Sequence, residues 1–326
     1  MTASRIASVG HYQPAEILTN ADLEKLVETN DEWIRSRVGI EERRIARTES
    51  VADLATQAAA KALAASGRAP EEIDLVVVAT TTAIDRCPNT AARVAGALGL
   101  TAPGAMDVNT ACSGFSHALA VADHAVRAGA SRAALVIGAE KMTDVTDWTD
   151  RTTCVLVGDG AGAVVIEACE NEAWGVGPVF WGSVPEKSRT VLIEGEVPRF
   201  SQEGQAVYRW VTGEVADLAR RACAAAGVSV QELAGFVPHQ ANLRMIEPLV
   251  RQLGLQDKVV ARDVVKSGNT SAASVGLALA KLVESGELRS GDLTLLFGFG
   301  GGIAYAGQVV RCPCGRRAAR RVDSAS

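Results

Sequence analysis

Apolar and polar positions along this chain alternate between two spacings. Short aliphatic runs such as Leu75-Val-Val-Val78, Leu135-Val-Ile-Gly138 and Ala163-Val-Val-Ile166 read as buried strands. Between such runs lie Ala-rich stretches with helical spacing. Cys112 to Ala128 carries Phe115, Leu119, Val121 and Val126 and stops at Gly129, which predicts a helix with start and stop signals. An extended, Gly/Pro-marked run, Ala102-Pro-Gly-Ala-Met-Asp-Val108, leads into it. Strands alternating with helices along the whole length predict an α/β fold.

The pattern also repeats. Gly67-Arg-Ala-Pro-Glu-Glu-Ile-Asp-Leu-Val-Val-Val78 matches Gly227-Val-Ser-Val-Gln-Glu-Leu-Ala-Gly-Phe-Val-Pro238 at a shift of 160. Asn109-Thr-Ala-Cys112 through Gly129 matches Lys266-Ser-Gly-Asn269 through Gly286 at a shift of 157, and Leu135–Gly138 matches Leu295–Gly298 at 160. Three matches in one order predict a duplicated unit. Its halves are residues 1–170 and 171–315, followed by a basic tail, 316–326, expected to be mobile. The second match places Cys112 and Asn269 at equivalent helix starts. His239 follows the strand-like Phe236-Val-Pro238. Open α/β sheets gather their sites at the carboxyl ends of strands, so thiol, imidazole and amide are expected to share one cleft.

Composition narrows the class. An apolar fraction of 48% and a charged fraction of 22% over 326 residues are ordinary for a globular chain with a large core. Aromatics are only 4%, so small aliphatic side chains must fill that core. A net charge of −5 gives no reason to expect nucleic-acid binding. No apolar run reaches the ~18 residues of a membrane span, and the start lacks the apolar core of a signal peptide. Seven cysteines without zinc-like spacing fit a reducing cytoplasm. Cys312-Pro-Cys314 reads as incidental. Cys87, Cys154, Cys169 and Cys223 read as small core or interface residues, and His11, His117 and His124 as structural, not metal ligands.

The chemistry centres on Asp107-Val-Asn-Thr-Ala-Cys112-Ser-Gly114-Phe115. A thiol at a helix start feels the positive end of the helix dipole and free N–H groups, both of which favour the thiolate. A small buried cysteine is the competing reading. Cys and His together form a nucleophile and base, and Asn adds a neutral donor for a carbonyl oxygen or an enolate. Phe297-Gly-Phe299-Gly-Gly301-Gly302 brings backbone N–H groups close to a substrate, or is only a tight turn. Gly158-Asp-Gly-Ala-Gly162 lacks the spacing of a dinucleotide fingerprint and reads as a turn into a buried strand.

These residues carry a resemblance. The chain resembles β-ketoacyl-acyl-carrier-protein synthase III, of the thiolase-like superfamily, from about Ser4 to Arg311. The shared segments are Asp31-Glu-Trp33-Ile-Arg-Ser-Arg37-Val-Gly-Ile40, Thr110-Ala-Cys112-Ser-Gly-Phe115, Asp150-Arg151, Gly158-Asp-Gly-Ala-Gly162, Pro238-His239-Gln-Ala-Asn242 and Gly268-Asn269-Thr-Ser-Ala-Ala-Ser274. The resemblance implies an α/β thiolase-like fold of two similar halves in α-β-α-β-α layers, usually a homodimer, with no cofactor beyond its acyl-CoA substrate. It implies that Cys112 takes an acyl group from acyl-CoA. His239 and Asn269 then hold a malonyl-acyl carrier protein thioester as it loses CO2, and the carbanion attacks acyl-Cys112. It further implies an oxyanion hole at the N–H groups of Cys112 and Gly301, and an aromatic, Phe299, beside the nucleophile and, with Cys87, in the acyl pocket. Trp33, Arg37, Arg151 and Asn242 would bind CoA and its pantetheine arm. Arg209 and Arg244 would receive the acidic carrier protein. Decarboxylation needs no strong base, so neutral donors suffice.

Three departures stand out. Cys87 replaces a Phe that in several members reaches across the dimer into the partner's acyl pocket, implying room for a longer or branched starter. Val38 replaces a polar residue beside Arg37. The segment Gly177 to Gly195 is shorter and more divergent than usual over the pocket. Such changes also fit a specialised, polyketide-priming paralogue. A thiolase would need a second Cys between Phe297 and Ile303, elongating ketosynthases use two His, and plant-type polyketide synthases are longer. An idle partner subunit would not need the intact Cys-His-Asn set. The alternative activity is an acyltransferase or thioesterase passing the acyl group of Cys112 to another acceptor or to water.

Overall fold

The computed structural model describes residues 3–170 and 175–313. The basic tail and Cys314 lie outside the described residues. The first half runs β1 (Ala3–Tyr12), β2 (Glu16–Thr19), α1 (Asn20–Leu23), α2 (Asp31–Val38), β3 (Glu42–Ile45), α3 (Val51–Ser66), β4 (Leu75–Ala79), α4 (Thr90–Ala97), β5 (Gly104–Val108), α5 (Gly114–Arg127), β6 (Ala133–Lys141) and β7 (Asp159–Cys169). The second half runs β8 (Phe180–Ser183), β9 (Val191–Glu194), β10 (Arg199–Gln202), α6 (Gly204–Trp210), α7 (Ala216–Ala225), β11 (Gly235–Pro238), α8 (Leu243–Leu253), β12 (Val259–Val260), α9 (Val264–Ser267), α10 (Ser274–Glu284), β13 (Leu293–Gly300) and β14 (Ala304–Arg311).

Each half builds a five-stranded sheet, in the order β1-β7-β6-β4-β5 in one and β8-β14-β13-β11-β12 in the other. β4 is parallel to β5 and β6, as β11 is to β12 and β13, while β7 and β14 run antiparallel to their neighbours. The duplication is therefore real at the level of topology.

Both faces of each sheet are covered, which is why the central strands are continuous apolar runs. Val77 and Ala79 face one core with Phe115 and Leu119 of α5, Val275 and Leu279 of α10, and Val237 and Leu296 of the other sheet. Val76 and Val78 face α3 and α4. Phe236 and Leu295 face the core closed by α6, α7 and α8. The result is five layers, α-β-α-β-α, with α5 and α10 in the middle. Close packing there depends on small residues. A Cβ on Gly162 would stand 2.0 Å from Leu277 N, and one on Gly276 2.6 Å from the Phe115 ring.

The structure corrects one alignment. Short 3₁₀ turns, Ala111–Ser113 and Ser271–Ala273, precede α5 and α10. Ala111 and Ser271 both adopt left-handed backbone, with φ of 48° and 44°. The helix starts therefore correspond at a shift of 160, and the counterparts are Asn109 with Asn269 and Cys112 with Ala272. The shift of 157 arose because α10, at 11 residues, is shorter than α5, at 14, so that the terminal glycines fall out of step.

Candidate active site

Cys112 occupies the turn before α5, at the positive end of that helix. The Ser271 hydroxyl, from the turn before α10, and the N–H groups of Gly301 and of Cys112 itself act on the sulfur electrostatically. These contacts lower the thiol pKa, but burial outweighs them and the negative charge of Glu140 adds to burial, so the net shift is upward. The expected resting thiolate is thus overturned by desolvation. The close packing continues at Gly300, where a Cβ would stand 2.8 Å from Cys112 Sγ.

His239 directly follows β11. Its N–H donates to Phe297 O at 2.8 Å, and its ring meets Phe299 edge-on, with centroids 5.4 Å apart. Nδ1 lies 2.8 Å from Ser274 Oγ. Gln240 N–H donates to the same hydroxyl at 3.3 Å, which leaves the hydroxyl hydrogen for Nδ1. With the hydroxyl donating to Nδ1, the ring proton sits on Nε2. Burial depresses the His239 pKa to about 3, so the ring is neutral.

Asn269 is held by its backbone. Its N–H donates to Leu156 O at 2.8 Å, and its carbonyl accepts from Gly158 N at 3.1 Å. Its Oδ1 accepts from Ser271 N at 2.8 Å, which leaves Nδ2 as the side chain's free donor.

Two chambers meet at Cys112. The narrow one, about 30 Å³, is lined by Cys112, His239, Asn242, Asn269, Phe299 and Gly301. The wide one, about 410 Å³, shares Cys112, Asn269 and Gly301 and adds Thr81, Asn109 and Met142. The Gly177–Gly195 region and its continuation supply part of both walls: Val191 and Phe200 line both chambers, and Leu192 and Ile193 the wide one.

The remaining predicted residues fall into groups. The Arg151 guanidinium lies 5.0 Å over the Trp33 ring and donates to Glu28 O at 2.8 Å. Arg37 is exposed on the last turn of α2. Asn242 caps α8, accepting from Met245 N at 3.1 Å. Arg209 and Arg244 are exposed on neighbouring elements, with Arg244 5.8 Å over the ring of Tyr208. Cys87 is exposed and lines neither chamber of its own chain. Val38 is buried in the core, so that replacement serves packing. His117 and His124 both meet Trp181, at 5.6 and 5.8 Å, which confirms their common face. Burial raises the thiols of Cys154 and Cys223 to about 11. Among the described residues, no cluster of three His, Cys, Asp or Glu side chains is placed to hold a metal ion. Nor is any helix among them long and apolar enough to cross a membrane.

Sequence reasoning missed Ser271, Ser274 and Glu140. The first two stand inside the quoted Asn269–Ser274 segment. Aligning Asn109-Thr110 with Asn269-Thr270 would have drawn attention to the turn that contains Ser271.

Comparison with known proteins shows the family. Sequence models described as 3-oxoacyl-[acyl-carrier-protein] synthase III and its C-terminal part match residues 106–185 and 223–312. A β-ketoacyl-[acyl-carrier-protein] synthase III of Streptomyces avermitilis is 65% identical over 315 residues, 96% of this chain and 100% of that protein. A synthase III of Streptomyces glaucescens is 42% identical over 95% of this chain and 96% of its own. Among solved structures, the priming β-ketosynthase of the R1128 polyketide pathway superposes with a TM-score of 0.93 at 40% identity, covering 96% of this chain and 97% of its own. The synthase III of Aquifex aeolicus gives 0.91 at 38% identity, covering 94% of this chain and 99% of its own. With its two thiolase-like halves and its Cys112-centred site, the chain belongs to the β-ketoacyl-[acyl-carrier-protein] synthase III family.

Proposed function

We propose that this enzyme condenses an acyl-CoA starter with malonyl-acyl carrier protein through an acyl-Cys112 thioester, initiating fatty-acid or polyketide synthesis. The observation that carries the reading is the position of Cys112 where two chambers meet, with neutral donors in the narrow one. The sulfur attacks the acyl-CoA carbonyl, and its proton leaves with the CoA sulfur. The acyl chain then lies in the wide chamber. His239 Nε2–H and Asn269 Nδ2–H hold the malonyl thioester oxygen in the narrow one. Loss of CO2 leaves its electron pair on the adjacent carbon as an enolate, which neutral donors stabilise without a strong base. That carbon attacks acyl-Cys112. The resulting oxyanion is received by the N–H groups of Cys112 and Gly301, and collapse releases the sulfur.

The Trp33–Arg151 stack offers a flat cationic face for the CoA base, with Arg37 near its phosphates and Asn242 on the pantetheine arm. Arg209 and Arg244 meet the acidic carrier protein. These steps call for no cofactor, and a reaction built on CoA thioesters and free thiols suits the reducing cytoplasm.

The functional unit in this reading is a homodimer. β5 is a sheet edge, with Met106 41% and Ile84 78% exposed beside it. Asn109, Thr110 and Ala111, which follow β5, line the wide chamber. Pairing two β5 edges would therefore bring Cys87 of the partner subunit toward that chamber.

A panel of acyl-CoAs incubated with malonyl-carrier protein and followed by product mass tests the reaction. A β-ketoacyl product two carbons longer than the starter is expected. Hydrolysis of acyl-Cys112 without condensation would sink the reading.

A further inference from the structure

Glu140 is fully buried near the carboxyl end of β6, and no step above uses it. Its Oε2 accepts from Thr82 Oγ1 at 2.6 Å, Thr80 Oγ1 at 3.1 Å and Thr82 N at 3.1 Å. Its Oε1 accepts from Thr81 Oγ1 at 3.0 Å and Ala272 N at 3.3 Å, and Thr81 N reaches both oxygens at 3.1 Å. Every one of these partners is a donor, which suits a carboxylate. Burial opposes them and raises the carboxyl pKa.

The internal repeat shows what this carboxylate does. The shift of 160 carries Cys112 onto Ala272, Glu140 onto Gly300 and Gly138 onto Gly298. In the first sheet, a carboxylate covers the N–H at the start of α10. In the second, the corresponding Gly300 leaves that place open beside Cys112, since any Cβ would stand 2.5 Å from Cys112 Cβ.

We propose that Glu140 is a positioning residue whose carboxylate fills, at the start of α10, the place a substrate oxyanion takes at the start of α5. It thereby holds the Asn269–Ser271 turn against Cys112. The proposal rests on Cys112 being the nucleophile. Ser271 lines the wide chamber with Cys112 and binds Asn269 through its N–H, so displacing Ala272 disturbs both ends of the site. The groups facing Cys112 are the Ser271 hydroxyl before α10, Gly301 N–H after β13, its own N–H, and neutral His239 across the narrow chamber. Glu140 is the charge that reaches it, and it makes the thiol less acidic.

The test is Cys112 alkylation by iodoacetamide against pH, followed by the mass of the peptide that carries Cys112, alongside condensation rates. Glu140→Gln should move the alkylation midpoint down by about one pH unit, as loss of one nearby charge requires. Glu140→Asp keeps the charge but not the reach to Ala272 N. It should hold the midpoint near wild type while condensation falls about tenfold or more, as for a misplaced donor. Wild-type condensation in Glu140→Asp overturns the proposal, even if Glu140→Gln does not fold. So does an equal midpoint shift in both variants. Cys112→Ala separates the premise: acylation by acyl-CoA that persists in this variant would overturn the nucleophile reading itself.

Discussion

Ser274 Oγ sits 2.8 Å from His239 Nδ1 while receiving Gln240 N–H, and a hydroxyl that donates to Nδ1 leaves the imidazole as an Nε2–H donor. Ser274→Ala removes the hydroxyl and frees the ring to change tautomer. Condensation is expected to fall about tenfold, the cost of one lost hydrogen bond at ~1.4 kcal/mol. Acylation of Cys112, which uses other groups, should be little changed. A rate of condensation equal to wild type would show that the hydroxyl does not set the tautomer.

The two half-reactions separate by residue. Incubation with acyl-CoA should add one acyl group, visible by intact mass and lost in Cys112→Ala. His239→Ala and Asn269→Ala should keep acylation but cut condensation roughly 10²-fold or more, as when an oxyanion donor is removed. Equal loss of both steps in either variant would contradict the assigned roles.

A neutral His239 has consequences for pH. Its folded pKa, about 3, lies below the ordinary imidazole value of 6.5. The unfolded chain therefore binds more protons between these values, so this residue's contribution to stability is complete above 6.5 and is lost as pH falls toward 3. His239→Gln should flatten the rise of the urea midpoint with pH across that window. Condensation, read at saturating acyl-enzyme, should show no acidic limb near 6.5. A limb there would mean that the ring titrates normally.

Gly300 tests the close approach of β13 to Cys112. A methyl group at this position would meet Cys112 Cβ at 2.5 Å and Sγ at 2.8 Å. Gly300→Ala must therefore shift the sulfur or the strand, and acylation should fall at least tenfold, in line with ångström-scale misplacement of a reacting group. Wild-type acylation would show that the turn can yield.

The dimer and the starter pocket are tested together. Wild-type protein should run as a dimer in light scattering, and Met106→Lys should dissociate it by placing a charge on the β5 edge. Cys87→Phe should then restrict turnover of longer and branched starters while sparing acetyl. Identical starter preferences in the two proteins would detach Cys87 from the pocket.

Much of this molecule is legible along the chain. Continuous runs such as Leu75–Val78 announce strands buried on both faces, and the Cys112–Ala128 spacing announces α5, because burial imposes its period on neighbouring residues. The repeat, and the proposed nucleophile Cys112 with His239 and Asn269, were likewise visible as motifs at strand and helix ends. Tertiary structure decided what depends on residues far apart in sequence. It reset the partner of Cys112 to Ala272, since equivalence follows the left-handed turns at Ala111 and Ser271 and not the helix ends. It reversed the expected acidity of Cys112, because desolvation by packed neighbours outweighs a helix terminus. It also revealed Glu140, whose donors come from Thr80–Thr82 and from Ala272, more than 130 residues away in the case of Ala272. Local pattern names the groups, but charge, burial and hydrogen-bond partners are properties of what the fold brings next to them.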